Sequence, residues 1–527
     1  MKYSALTGSI LAMVLAAVYV NLGWWMQQEG FFSSEALFYV AKADMFYSGI
    51  VPRLAVFGVT FPLLPFQAVL VLFPLTGLFT PVVASALGMA FLFRFLWSVA
   101  EKRGMEWGWK LGLLVIFLAN PGFLYAAMSG QSIYLLLIFF SGFLYYMLTY
   151  LDEPSTFSIA MAGVFYTGII FVQFSYVWIF VFILPVLLLI SLRGVEVESV
   201  RNQLTLEILF DDSYRRNLFV RKVLATSFLL LILPAGALAL YMYYNHLFAG
   251  YSMFFLNSAS VNAELISSRS IESVPGIQQY YFFSLSNLDF ALLLLTAVPF
   301  ATLLLITSLK DPLKVYILSI PLLIVFFHLS RENIAIVNMP LFMLVGISVI
   351  TAAPMMQQQY VSRRNIGRIF LLLSLLSVYF NYTYMASSTH TSEREFVQVA
   401  LGGGVSGTTL ADQEVARWLR SHTGTDKRVM ADDATTYRVI AFHGRSEEFV
   451  LPMENDFITY LSNPEMASYI LVPAAENMFR RFDLLYNQLS AVQDGALSGA
   501  YTEVFRNDAW VVFATNSEWS VRGQRAW

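Results

Sequence analysis

"SSEALFYVAKADMFYSGIVPRL", Ser33 to Leu54, interrupts an otherwise apolar N-terminal region. An apolar run over 5–24 precedes it and an apolar block over 62–99 follows it. Inside the stretch, Leu37, Phe38, Val40, Ala41, Met45 and Phe46 are set against Glu35, Lys42 and Asp44. That is the pattern of an amphipathic helix at a membrane interface. Gly49, Pro52 and Arg53 close it. The expectation is a helix over 33–48 lying along the membrane surface, apolar side down.

Composition supports a membrane setting. The chain has 527 residues, 57% hydrophobic and only 13% charged, with mean hydropathy +0.63. Soluble domains carry about a quarter charged residues, so most of this chain belongs in lipid. A net charge of −3 points neither to nucleic-acid binding nor to an acidic tail. With no cysteine, disulfides, thiolate metal sites and cysteine nucleophiles are excluded. The opening "MKYSALTGSILAMVLAAVYVNLGWW" lacks a small-residue cleavage site and is long enough to span, so it reads as a retained first helix.

Apolar stretches recur near 62–99, 108–128, 131–151, 155–173, 174–193, 222–246, 288–308, 314–330, 335–353 and 367–385. Lys2, the Lys102/Arg103/Lys110 group, the 193–222 loop with Arg215, Arg216, Arg221 and Lys222, the Lys310/Lys314 turn and Arg363/Arg364/Arg368 mark the cytoplasmic side. The block 62–99 is long enough for two crossings but must make one; Pro62, Pro65, Pro74 and Pro81 break it. The result is a polytopic α-helical protein with roughly 11 to 12 transmembrane helices and a cytoplasmic N-terminus. Its two long outer loops are 25–61 and 247–287, and long loops on one face of a bundle usually carry function.

After residue 386 the composition changes. Residues 387–407 read as a polar, glycine-containing linker, and "LGGGVSG" lacks the preceding strand that a phosphate loop needs. "LADQEVARWLRSH" is an amphipathic helix. β-type runs then alternate with helical ones, with strands expected at 427–431, 468–472, 502–506 and 509–514 and a hairpin turning at Asn507–Asp508. Residues 408–527 should therefore form a small α/β domain, placed outside the cell on the face of the two loops. The transmembrane domain is 1–386.

In this setting Ser33–Leu54 resembles the first outer loop of the GT-C superfamily of membrane glycosyltransferases, in particular the protein O-mannosyltransferase and aminoarabinose-transferase branch. That loop carries an Asp-Glu pair, a Tyr-bearing helix with a Met, a Gly, a Pro, and a Lys-Pro-Pro-Leu-like run. Here the matching residues are Ser34-Glu35, Phe38/Tyr39, Met45, Gly49, Pro52-Arg53 and "TFPLLPF" from Thr60 to Phe66. "LANPGFLYAAMSGQS", "NHLFAGYSMFFLNSASVNAE" and "HLSRENIAIVNMPLFMLVGISVI" are similar to further stretches of the family, and the tail looks like the periplasmic domains of related proteins. The sequence departs at Ser34, where the family has aspartate, in lacking the lysine before Pro-Pro, and at Glu332, where a tyrosine follows the late arginine.

The resemblance implies transfer of a sugar from a polyprenyl-phosphate donor to an acceptor on the outer face, without a cofactor. Such chemistry needs a carboxylate for the acceptor's proton and cations for the leaving phosphate. Glu35 is the candidate base; equally, it reads as a charge on the first turn of an interfacial helix. Asp44, nine residues on, faces the opposite side of the helix, while Lys42 shares the face of Glu35, as a candidate either to hold that carboxylate or to meet a substrate phosphate. Arg53 and Arg331 are candidates for the phosphate, against a plain snorkelling role. His328 is a candidate cavity-lining residue. These side chains are expected to converge on one outward-opening cavity.

The five histidines show no ligand spacing, so no metal site is expected. Asp432–Asp433 looks like a metal pair but stands at a strand-to-helix junction, where it caps the helix. The expected partners are a lipid-linked sugar donor and membrane lipids, with no nucleic acid. Beside the enzyme stands an inactive GT-C-fold scaffold that binds partner proteins through its outer domain. A transporter ranks third, because intramembrane charges and internal repeats are not evident.

Overall fold

The structure, a computed structural model, describes residues 2–196, 213–257, 312–332, 339–356, 362–388, 390–404, 407–424, 428–488 and 501–515, together with Pro299 and Leu303. The expected segment 288–308, apart from those two residues, and most of the second outer loop fall outside the described residues.

The chain is polytopic and helical, with a small C-terminal sheet. Its first helices are α1 (Lys2–Gln28), α2 (Ser34–Ser48), α3 (Arg53–Val59), α4 (Leu63–Thr76) and α5 (Thr80–Lys102). Next come α6 (Trp107–Ala119), α7 (Pro121–Met128), α8 (Ile133–Asp152), α9 (Thr156–Val172), α10 (Ile179–Glu196) and α11 (Ser213–Ala249). The last of the bundle are α12 (Pro312–Glu332), α13 (Met339–Ala352) and α14 (Arg363–Ala386). Among the described residues six helical spans are long and apolar enough to cross a membrane, and α6 and α7 reach that length only as a pair, bent by 59° at the break between them. Three shorter apolar helices, Thr156–Val172, Leu313–Ile324 and Met339–Met355, complete the set.

The bend has a local cause. Asn120 between α6 and α7 accepts hydrogen bonds from Gly122 N and Phe123 N, capping α7, while Pro121 at the first helical position supplies no donor. Its amide also donates to Ser377 of α14 at 2.9 Å, so the break is tied to a neighbouring helix. The double-length block 62–99 resolves into α4 and α5, separated by a 3₁₀ turn at Gly77–Phe79. Gly77 there takes φ +51°, a backbone conformation that costs glycine least.

The charged turns gather at one end of the bundle. Arg363 donates to the carbonyl of Arg103 at 2.7 Å, and Lys314 pairs with Asp152 at 2.7 Å. The C-terminal domain sits at the other end, against α2.

That domain begins after α15 (Thr391–Ala400), a helix within the stretch expected to be linker. Phe396, Val397 and Val399 are buried in the core of the bundle; their apolar face gives residues 391–400 a surface to fold on, which composition alone did not reveal. There follow α16 (Gly407–His422), β1 (Val429–Met430), α17 (Asp433–His443), β2 (Phe449–Val450) and α18 (Phe457–Ser462). The chain ends in β3 (Tyr469–Pro473), α19 (Leu484–Gln488), β4 (Tyr501–Arg506) and β5 (Trp510–Thr515). The sheet order is β2-β1-β3-β5-β4, with β2, β1 and β3 parallel and β5 antiparallel to both of its neighbours. The β4–β5 hairpin turns at Asn507–Asp508, where Asn507 Oδ1 accepts from Ala509 N and Trp510 N.

One expectation about α2 is corrected. It does not lie with one apolar face on lipid: Ala36 to Ala43 and Met45 are all buried. Its apolar residues share a single core with Val415, Leu419, Tyr437, Ile440, Leu471 and Trp510 of the C-terminal domain. A second apolar surface, folded from residues nearly four hundred positions away, covers the side that an isolated helix would turn to water.

Candidate functional site

The first turn of α2 carries Glu35. Its Oε1 accepts from the Tyr39 hydroxyl at 2.7 Å, one turn along the same helix, and from the backbone N–H of Ser132 at 3.2 Å. Burial pushes the Glu35 carboxyl above the usual carboxylate range, against the lowering effect of these donors. The Tyr39 phenol is also pushed up, first by burial and then by the neighbouring Glu35 charge.

Ser132 N reaches Glu35 because the turn between α7 and α8 is pressed into place. Gly130 has φ +72°, and a Cβ there would stand 2.7 Å from Pro81 Cβ and 3.1 Å from Ala36 Cβ. Any other residue would push the turn away from α2 and α5. Beyond it the polar contacts continue: Gln131 Nε2 donates to the Tyr125 hydroxyl at 2.6 Å, which donates to Ser392 Oγ at 3.1 Å. Next to Ser392, buried Glu393 accepts from Met339 N at 2.7 Å, at the start of α13, and from Ser388 Oγ at 2.6 Å. Burial raises the Glu393 carboxyl as well.

Lys42, Asp44, Ser48 and Ser34 of α2 face the C-terminal domain, while the Tyr47 hydroxyl donates to the Leu70 carbonyl of α4 at 2.9 Å. Lys42 forms a buried ion pair with Asp433. Asp44 Oδ2 accepts from Ser446 N at 2.7 Å, and Ser48 meets Ser446 Oγ at 3.0 Å. Ser34 accepts from the Arg438 guanidinium. Phe38 packs edge-on against Tyr437, and Phe32 against Phe442.

Of the residues singled out from the sequence, Glu35 is half-buried at the junction of bundle, loop helix and C-terminal domain. Lys42 is not offered to a phosphate, because Asp433 takes its ammonium. Arg53 is exposed and lies over the Phe46 ring, 5.8 Å from its centroid. His328 and Arg331 fall in the last turns of α12, and their side chains lie outside the described residues. The structure thus brings Lys42 and Arg53 to separate partners rather than into one cavity with Glu35.

Asp432 caps α17, accepting from Ala434 N at 3.0 Å, and also accepts from Leu484 N at 2.8 Å. Burial first, then Asp433 and Asp483, push its carboxyl up to about 7. Among the described residues no group of His, Cys, Asp and Glu is arranged to hold a metal ion.

Arg438, Ser132 and Glu393 escaped the sequence reading. Each acts through a contact across a long chain separation, and nothing in the residues around them marks it.

No protein-family model matches the chain, and no curated protein does either. Solved structures do. The chain is similar to ArnT from Cupriavidus metallidurans, crystallised bound to undecaprenyl phosphate, with 12% identity over 96% of this chain and 97% of that one, at TM-score 0.52. The oligosaccharyltransferase of Archaeoglobus fulgidus in its apo form matches at 10% identity over 95% of this chain and 73% of that one, at TM-score 0.39. Along almost its whole length the chain thus shares the fold of ArnT from Cupriavidus metallidurans.

Proposed function

We propose that this protein transfers a sugar from a polyprenyl-phosphate donor to an acceptor on the side of the membrane that holds the C-terminal domain. The observation that carries the reading is the position of Glu35, a half-buried carboxylate on the first-loop helix of a GT-C fold, held by Ser132 N and Tyr39. Burial raises its affinity for a proton, which strengthens it as a base.

In the proposed step the acceptor hydroxyl oxygen forms a bond to the anomeric carbon of the sugar. The bond from that carbon to the phosphate oxygen breaks, and polyprenyl phosphate leaves with the bonding electrons. The hydroxyl proton passes to Glu35. Arg331 is the candidate cation for the leaving phosphate, as arginine suits phosphate geometry, and His328 the candidate lining residue.

The test is twofold. Purified protein in nanodiscs should retain undecaprenyl phosphate in native mass spectrometry. Glu35→Gln should lower transfer from an undecaprenyl-phosphate-linked sugar by on the order of a hundredfold or more. Transfer that survives Glu35→Gln sinks the base assignment.

A second reading has its own observation. Ser34 stands where the family has aspartate, and both Ser34 and Lys42 are taken up by the C-terminal domain. A GT-C-fold scaffold without catalysis, offering its C-terminal domain to a partner protein, fits those contacts. Failure to bind undecaprenyl phosphate would favour it.

A further inference from the structure

The start of α2 is not held by its own cap. Ser33, at the cap position, makes no side-chain hydrogen bond to the helix, and its buried hydroxyl has no partner among the described residues. What holds this turn comes from elsewhere: Ser132 N from the bundle, and Arg438 of α17 from a position 404 residues along the chain from Ser34.

The Arg438 guanidinium is itself fixed. Its Nε donates to Asp412 Oδ2 at 2.5 Å and its Nη2 to Thr409 Oγ1 at 3.1 Å, leaving Nη1 for the Ser34 hydroxyl. Asp412 is locked in turn by Trp510 Nε1 at 2.7 Å. The side chain is 12% exposed. A planar fork held at two of its three nitrogens directs the third with little freedom, a task for which lysine has no equivalent.

We infer that Arg438 is a positioning residue for Glu35: through the Ser34 hydroxyl it sets the rotation of the first turn of α2 and so aims the neighbouring carboxylate at Ser132 N and the Tyr39 hydroxyl. The C-terminal domain therefore completes the candidate site without touching the reacting atoms. The importance of this for catalysis rests on Glu35 being the base; the geometric statement does not.

The consequence is readable at Glu35. The titratable and charged groups around it are Tyr39 on its own helix, Tyr125 and Tyr134 from α7 and α8, and Tyr437 with Arg438 from α17. If the aim is lost, the donors that favour the ionised form, the Ser132 side chain, the Tyr39 hydroxyl and the Ser132 backbone N–H, weaken while burial still opposes it. The titration of Glu35 then moves upward.

The experiment follows the carboxylic-acid stretch of Glu35 by infrared difference spectroscopy on the full chain in nanodiscs, with the band assigned by its loss in Glu35→Gln. Ser34→Ala removes the acceptor hydroxyl and leaves the Arg438–Asp412 pair intact. Arg438→Gln alone strands a buried carboxylate, so the double variant Arg438→Gln/Asp412→Asn is made as well. The acid band should persist to higher pH in Ser34→Ala and in the double variant, and combining all three substitutions should add nothing further. Transfer from an undecaprenyl-phosphate-linked sugar should fall at unchanged KM, by up to about a hundredfold for a misplaced group. An unmoved Glu35 band in folded Ser34→Ala and in the folded double variant overturns the inference, even if Glu35→Gln abolishes transfer. A shifted band with transfer indifferent to Glu35→Gln leaves the inference standing and removes the functional proposal instead.

Discussion

Lys42 of the first-loop helix is ion-paired with Asp433, 391 residues along the chain, with both side chains buried. Asp433 also stands close enough to Asp432 to help, after burial, push that neighbouring carboxyl up. This contact, with Asp44–Ser446 and Ser34–Arg438, joins the C-terminal domain to the part of the bundle that carries Glu35.

Removing one partner of a buried pair leaves an uncompensated charge and costs about 3–5 kcal/mol. Lys42→Met should therefore lower the melting temperature of the purified protein. Its cost should shrink as the pH is taken from about 8 to about 5, because a proton then neutralises the buried carboxylate that lost its partner. The sign follows from linkage: a carboxylate that loses its cation has a raised pKa in the folded state, so stability rises as pH falls through it. Lys42→Met/Asp433→Asn should recover most of the loss. A pH-independent loss, or no rescue, would show that the pair does not hold the domain.

If Glu35 is the base, transfer requires its ionised form. Burial raises its pKa, so the rate should fall with decreasing pH at a point above the ordinary carboxylate range of about 4. A plot of kcat/KM against pH checks this, and a limb lying at or below the ordinary range is the contrary result.

The orientation of the bundle rests on the positive-charge rule and is open to direct test. The chain has no cysteine, so single introduced thiols report without background. Ser421 is exposed on the C-terminal domain and Glu106 is exposed on the turn before α6. In intact cells a membrane-impermeant maleimide should label Ser421→Cys and leave Glu106→Cys unlabelled until the membrane is opened. The reverse pattern inverts the topology.

Helices α6 and α14 meet through glycine. A Cβ at Gly108 would lie 2.8 Å from the Gly367 carbonyl carbon and 2.9 Å from its oxygen, backbone atoms that cannot step aside. Small residues allow such close approach between membrane helices. Gly108→Val should destabilise the fold by about 1–3 kcal/mol, the usual cost of overpacking. Thermal unfolding of the detergent-solubilised protein measures it, and an unchanged midpoint would mean that the helices separate freely.

Hydropathy and charge in the sequence sufficed for the apolar segments, for the polytopic bundle, and for a change of character after residue 386. These are properties of residues close in the chain: a run long enough to cross lipid needs no tertiary partner to be recognised. The hairpin at Asn507–Asp508 was legible for the same reason, since turn chemistry is local. Glu35 could be singled out as a carboxylate on the first-loop helix. Its partial burial could not, because Ser132 reaches it only through a turn that Gly130 allows to close on α2. Lys42 read as a partner for a phosphate until Asp433 took it, and residues 387–407 read as linker until α15 found a surface in the bundle. Tertiary structure decided what α2 faces, since an amphipathic pattern specifies which side is apolar and not what will cover it. Only folding together of distant segments could bring Arg438 to Ser34.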